Sequence, residues 1–281
     1  MATPLILSDN LFDDAVLHPT YVVTTSGTEV AGAELFNIAD NLRDTVGFTV
    51  QETNTAISIT VDAGAAVSAD TIIFDVGHNL KGAAVQVRGS TDNFAASNVL
   101  VSTFTIPSAA GGLGSAGCLT PKGVAWMRFA SASYRYWRVV LPALGAGIAP
   151  RLGNLHLGQS YRFPTYLDAP GAYDYRTQQK HLSNETSKTG IRVKRGTINW
   201  DEVNLSVRLE EADFQQLHPH VRRLLDYNHV WWFSLDDSTT EGSGLMRLFQ
   251  LPGDTTYDPV CDPVHRKVAF LLEEVAPTRT I

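Results

Sequence analysis

Residues Thr71 to Gly89 read TIIFDVGHNLKGAAVQVRG, and residues Tyr134 to Leu141 read YRYWRVVL. The first stretch holds two apolar runs, Ile72 to Val76 and Ala84 to Arg88, joined by the turn-forming string Gly77-His78-Asn79 with Gly82 behind it. In the second run Val85 and Val87 share one face of an extended chain, and Gln86 and Arg88 take the other, which is the period-two pattern of a half-buried strand. Trp137, Val139 and Leu141 repeat that alternation against Tyr136 and Arg138. These runs predict strands with one dry face each, and hence a mainly β chain.

The rest of the sequence extends the pattern on both sides. Ile57, Ile59 and Val61 alternate with Ser58 and Thr60, giving one strand there, and a neighbouring strand begins at Thr71. VLVSTFTI, between Phe94 and Pro107, is a further strand. Ala109 to Gly117 collapses into Gly, Ala and Ser, a mobile connector rather than a ligand loop. Leu152 to Leu157 closes this region. Upstream, Tyr21 to Thr25 and Gly47 to Val50 read as strands, and Glu34 to Arg43 as a short helical turn or a loop.

Beyond Gly158 a second unit begins. It opens on Tyr173-Asp174-Tyr175 and a polar stretch, Lys180 to Lys188, too hydrophilic for a core. Ile191, Val193 and Ile198 mark one strand, and Val203, Leu205, Val207 and Leu209 another, with a bulge or bend at Gly196-Thr197. From Glu210 to Tyr227 the period changes: Phe214, Leu217, Val221, Leu224 and Leu225 fall at helical spacing behind Glu210, Glu211 and Asp213. Pro219 lies inside this run, where it costs about 3 kcal/mol, so a kink or a break into two short helices is expected. Strands at Val230 to Asp237, Leu245 to Leu251 and Lys267 to Glu274 complete the unit.

With 281 residues, 44% of them hydrophobic and 18% charged, the chain is long enough for two domains with sizeable cores. A net charge of −7 offers no general basic footprint to nucleic-acid phosphate. Cys118 and Cys261 are too few and too far apart for a disulfide framework or a cysteine zinc site. The sequence shows no signal-type N-terminus and no apolar run of about 18 residues, so a soluble product made in the cytoplasm, without membrane insertion, is expected.

The order of a strand, a Gly/His/Asn turn, a second strand, the polar string Gly89 to Asn93 and a late Trp-Arg strand resembles the galactose-binding-like, or discoidin-like, jelly-roll β-sandwich. The same order is similar to that in structural proteins of tailed bacteriophages. Glu211 through Asp237, a helix running into an aromatic strand, resembles a domain of their distal tail and minor tail proteins. The resemblance implies a division into residues 1–33 (an arm or first strands), 34–158 (the sandwich) and 159–281 (a β-rich assembly domain with one helix). It also implies a non-enzymatic virion protein of the tail tip, synthesised in a host cytoplasm, whose partners are other tail proteins and further copies of itself in a ring or hub. The alternative is a carbohydrate-binding adhesin module that takes a host-surface glycan.

Chemical motifs do not compete with this reading. G-x-S-x-G, P-loop, H-E-x-x-H and G-x-G-x-x-G signatures are all missing. His218 and His220 flank Pro219 and point apart on a helix, so helix-end histidines outweigh a metal pair. Asp236, Asp237, Asp254, Asp258 and Asp262 match no calcium-loop spacing and read as surface acids. No cofactor or metal is expected. The side chains singled out are Trp231, Trp232 and Phe233, because neighbours on a strand face opposite ways and only one of the two tryptophans can meet a single core. Subunit contact is the preferred account, and burial on both faces is the alternative. Arg192 and Lys194 read as a solvated strand face first and a contact to an acidic partner second.

Overall fold

Branched side chains at every second position favour extended backbone, because they pack well on a pleated surface. In the computed structural model, Ile57, Ile59 and Val61 open a strand of 18 residues that runs on to Phe74. The structure describes residues 5–13, 17–39, 47–109, 118–120, 123–145, 147–163, 173–185, 192–227, 231–234, 247–250, 260–261 and 265–274, with side chains described through 163 and again at 209–222 and 232–234. Within them the chain is mainly β, its strands antiparallel, with one α-helix. It divides into two compact units, residues 1–163 with 232–247, and residues 164–231 with 248–281.

The strands of the first unit are β1 (Leu5–Leu7), β2 (Val22–Thr25), β3 (Ile57–Phe74), β4 (Ala84–Ser90), β5 (Val99–Thr105), β6 (Cys118–Leu119), β7 (Ala125–Leu141), β8 (Leu155–Gly158) and β9 (Tyr161–Arg162). The expected strand at Gly47 to Val50 is present only as isolated bridges, Thr49 to Arg151 and Val50 to Glu29. Glu34 to Arg43 contributes a 3-10 turn at Leu35–Ile38. The two strands expected at Ile57 and at Thr71 are one strand. The Ala- and Gly-rich link between them is a weak strand former, and pairing with β7 at Val67 to Ala69 and on both flanks carries the strand across it.

The partners β3 and β7 together build the sandwich. Ile57 to Asp62 pairs with Tyr136 to Leu141, and Thr71 to Phe74 pairs with Ala125 to Arg128. Register shifts separate the two stretches, between Asp62 and Val67 and between Ala69 and Thr71, and Gly64, Ala65 and Ala66 are exposed there. The first stretch carries β2, β4 and β5 in the order β2-β3-β7-β4-β5, while the second carries β8 and β6. One hydrophobic cluster joins Ile59, Val61, Val87, Trp137 and Val139 of the first stretch to Ile72, Phe74, Met127, Leu155 and Leu157 of the second. The inward alternation expected for β4 and β7 is therefore observed. Gly89 faces this core, where a Cβ would come 2.1 Å from the ring of Tyr134.

The second stretch also buries its other face. Ile73, Trp126 and His156 are inaccessible there, and the His156 ring meets that of Trp232 edge-on at 5.4 Å. Trp232 and Phe233 lie in a strand at residues 231–234 that pairs with β1, Leu7 opposite Trp232 and Ile6 opposite Phe233. Both are buried, at 0% and 1% exposure. Successive strand residues point to opposite faces, so this short strand is covered on both sides by its own chain. The preferred expectation that Trp232 and Phe233 await a second subunit is corrected by this burial, since neither has area left to offer.

In the second unit β10 (Tyr173–Glu185) and β11 (Arg192–Glu210) form a long ladder from Tyr173↔Leu205 to Glu185↔Arg192. The polar stretch around Lys180 is thus part of a strand, and the ladder shifts register opposite Lys194 and Gly196, beside the expected bulge. The helix α1 (Glu211–Tyr227) follows without a gap and continues through Pro219. Phe214, Leu217 and Val221 form its buried stripe, and Pro219 is exposed. The chain then passes through β12 (Trp231–Ser234), whose last three residues belong to the first unit, and β13 (Arg247–Gln250), β14 (Val260–Cys261) and β15 (His265–Glu274) follow, with β15 pairing along β11 from Glu202↔Glu273 to Glu210↔His265.

Candidate functional site

Strand register decides which side chains share the outward face of the first unit. Thr24 stands opposite Thr60, Thr60 opposite Arg138, Arg138 opposite Arg88, and Arg88 opposite Leu100, so one row crosses β2, β3, β7, β4 and β5. The next row holds Asp62, Tyr136 and Ser90, and the one on the other side Ser58, Val140, Gln86 and Thr103. Arg88, Arg138, Tyr136 and Gln86 are all half-buried.

The loop that leaves β4 roofs this row with an aromatic ring. Ser90, fully buried, accepts from the backbone N–H of Phe94 through its hydroxyl oxygen at 2.8 Å and donates to Asp92 at 2.8 Å. The Asp92 carboxylate in turn accepts from the backbone N–H groups of Ala96 and Ser97, each at 2.9 Å to Oδ2. This bonding turns the chain through two left-handed residues, Asn93 (φ 57) and Phe94 (φ 64). A bulky aromatic residue there is an uncommon conformation that costs on the order of 1–2 kcal/mol. It sets the Phe94 ring 3.7 Å from the Arg138 guanidinium carbon.

The two arginines are oriented by neutral groups. Arg138 Nε donates to Thr60 Oγ1 at 2.9 Å. Arg88 Nε donates to Gln86 Oε1 and its Nη1 to Asn98 Oδ1, both at 2.9 Å. Burial, and then the charge of Arg88, lower the Arg138 pKa from its ordinary value. The nearby carboxylates are committed elsewhere: Asp62 accepts a two-pronged bond from Arg135 at 2.8 and 2.9 Å. Hydrogen bonds hold both acids below the usual carboxylate range, Asp62 chiefly through Arg135 and Asp92 chiefly through Ser90. Both are therefore ionised acceptors across the physiological range, unsuited to act as proton donors.

The turn at the other end of β4 has a structural task. His78 Nδ1 accepts from the Leu80 N–H at 3.2 Å, which leaves Nε2–H to donate to the Gly123 carbonyl at 3.1 Å. Burial lowers its pKa to about 4. Asn79 reaches the Ala149 carbonyl, and its own side-chain oxygen accepts from the Arg151 N–H, so the turn is pinned to the loop before β8.

Of the residues singled out from sequence, Trp232 and Phe233 belong to the buried layer behind the sandwich, and the side chains of Trp231, Arg192 and Lys194 lie outside the described ones. So do the Ala/Gly connector through Gly117, His229 and the acid-rich segments at 236–237, 254–258 and 262. The platform residues Arg88, Arg138 and Phe94 were not singled out. Alternation already places Arg88 and Arg138 outward, but that they are register partners depends on a pairing between distant strands.

No protein-family profile matches the sequence, and no curated protein is similar enough to count as a relative. Among solved structures the chain is similar to a GH29 fucosidase of Ruminococcus gnavus in complex with fucose, with TM-score 0.42 and 13% identity over 55% of this chain. It spans 27% of that fucosidase's length. It is also similar to chitosan-binding module 1 from a chitosanase/glucanase of Paenibacillus sp. IK-5, with TM-score 0.39 and 18% identity, covering 53% of this chain and 98% of the module. A third is the Clostridium perfringens module CpGH89CBM32-5 in complex with GalNAc-β-1,3-galactose, with TM-score 0.40 and 12% identity, covering 53% of this chain and 99% of the module.

Proposed function

We propose that the chain is a non-catalytic recognition protein whose first unit binds a glycan on its outer sheet face. The observation that carries this reading is the platform itself, which combines planar groups with hydrogen-bonding groups on rigid strands. Phe94, Tyr136 and the Arg138 guanidinium supply flat surfaces, and Gln86, Asn98, Thr103 and Arg88 supply donors and acceptors around them. Sugars present apolar C–H faces ringed by hydroxyls, and such a mixture answers both. Titration of the full chain with a panel of oligosaccharides, followed by NMR shifts of amides in β4, β7 and the loop 91–98, tests the reading. Silence at millimolar concentrations overturns it.

A second reading, assembly into a phage tail tip, is favoured by one observation, the order of β11, α1 and the short aromatic strand β12 along the chain, which is the order that the resemblance rests on. Its contact surface has to be sought away from Trp232 and Phe233. Sedimentation of the purified chain over a wide concentration range tests it, and a monomer throughout would end it.

A further inference from the structure

Arg88 and Arg138 stand directly opposite one another on adjacent antiparallel strands, a placement that brings Cβ atoms to about 4.5–5.5 Å and is unfavourable for like charges. Nothing acidic compensates the pair among the described residues. Asp62 is taken by Arg135, and Asp92 is consumed by its own loop. What surrounds the two guanidinium groups is neutral: Thr60, Gln86, Asn98 and the face of Phe94. Those bonds use Arg138 Nε and Arg88 Nε and Nη1. Both terminal nitrogens of Arg138, and Nη2 of Arg88, make no hydrogen bond to a described residue.

This concentration of positive charge lies on a chain of net charge −7. Its geometry is fixed before any ligand arrives, because the Phe94 ring, held by the Ser90 hydroxyl, lies over Arg138 and two amide oxygens orient Arg88. Two forks of planar N–H donors, close together and uncompensated, match a planar carboxylate better than any neutral sugar hydroxyl. We infer that Arg88 and Arg138 form the specificity-determining pair for the carboxylate of an acidic sugar, one of uronic-acid or sialic-acid type. This inference rests on the glycan reading above and narrows it to an anionic ligand.

The test uses the full chain against an immobilised panel of uronic-acid, sialic-acid, sulfated and neutral oligosaccharides, followed by calorimetric titration of those bound. The expected result is binding of a carboxylate-bearing sugar that weakens as salt is raised and falls at least tenfold in Arg138→Gln and in Arg88→Gln. In Lys81→Gln, which removes one exposed positive charge at the far end of β4, binding should hold. Thermal melting of each variant separates a lost site from a lost fold. Binding of neutral sugars with equal strength, unmoved by either arginine change, overturns the carboxylate pair and leaves the glycan reading standing. Binding of sulfated sugars alone also overturns it. Binding of no sugar at all removes both.

Discussion

The ring of Phe94 lies 3.7 Å from the guanidinium carbon of Arg138, and it gets there through a left-handed backbone at Phe94 itself. Replacing Phe94 with Gly relieves strain of about 1–2 kcal/mol, removes a cation–π contact worth about 0.5–1 kcal/mol at a partly exposed site, and adds a chain-entropy cost of about 0.5–1 kcal/mol. These nearly cancel. Phe94→Gly should leave unfolding in urea within about 1 kcal/mol of the parent, while saccharide binding at the platform, read by calorimetry, weakens severalfold. A large loss of stability would show that the loop holds the sandwich together rather than furnishing a surface.

Gly153 tests the tie between the two ends of the sandwich. A Cβ at this position would lie 2.0 Å from the Val76 carbonyl oxygen, a backbone atom that cannot swing aside. Gly153→Ala should destabilise the fold by about 2 kcal/mol or more through overpacking, measured by chemical denaturation. At Gly64, where nothing lies within 4 Å but φ is +71, the same change acts only through backbone strain and should cost less, about 1 kcal/mol.

Trp232→Ala removes a side chain at 0% exposure that meets His156 edge-on. A loss of about 3–5 kcal/mol is expected for a buried large-to-small change, with the sedimentation coefficient of the folded protein unaltered. A change in oligomeric state without loss of stability would restore the tryptophan to a subunit contact.

His78 has a pKa near 4 in the fold, against 6.5 as the ordinary value. Between those values the unfolded chain binds a proton that the folded chain refuses, so stability falls as the pH drops from about 6.5 to about 4, by on the order of 3 kcal/mol. Above that window the group contributes no slope. Melting curves across pH 4 to 7 should therefore be flatter for His78→Gln than for the parent, and parallel curves would show that the imidazole is no drier than an ordinary surface histidine.

Much of the sandwich was legible because period-two alternation is a local signal. Val85 and Val87 in β4, and Trp137, Val139 and Leu141 in β7, point inward as the sequence predicts. What was not legible is what depends on pairing. Residues 63–70 carry few strand formers, yet the strand runs on through them because β7 pairs with Val67 to Ala69 and with both flanks. The strand at Trp232 looks half-exposed when read alone, and its burial depends on distant parts of the chain, β1 beside it in the sheet and His156 against the Trp232 ring. The Arg88–Arg138 pair escaped notice for the same reason, since each residue alone is an ordinary outward arginine.

The long partners β3 and β7 have a mechanical consequence. A sandwich made of two separate sheets can lose one and keep the other for a moment, but here the same two ribbons are bent through both. Pulling on either layer loads its opposite number through continuous covalent chain, so the first unit should yield all at once or not at all. A protease cut at the exposed Gly64–Ala66 crease of β3 would leave β7 as the one long ribbon still joining the halves.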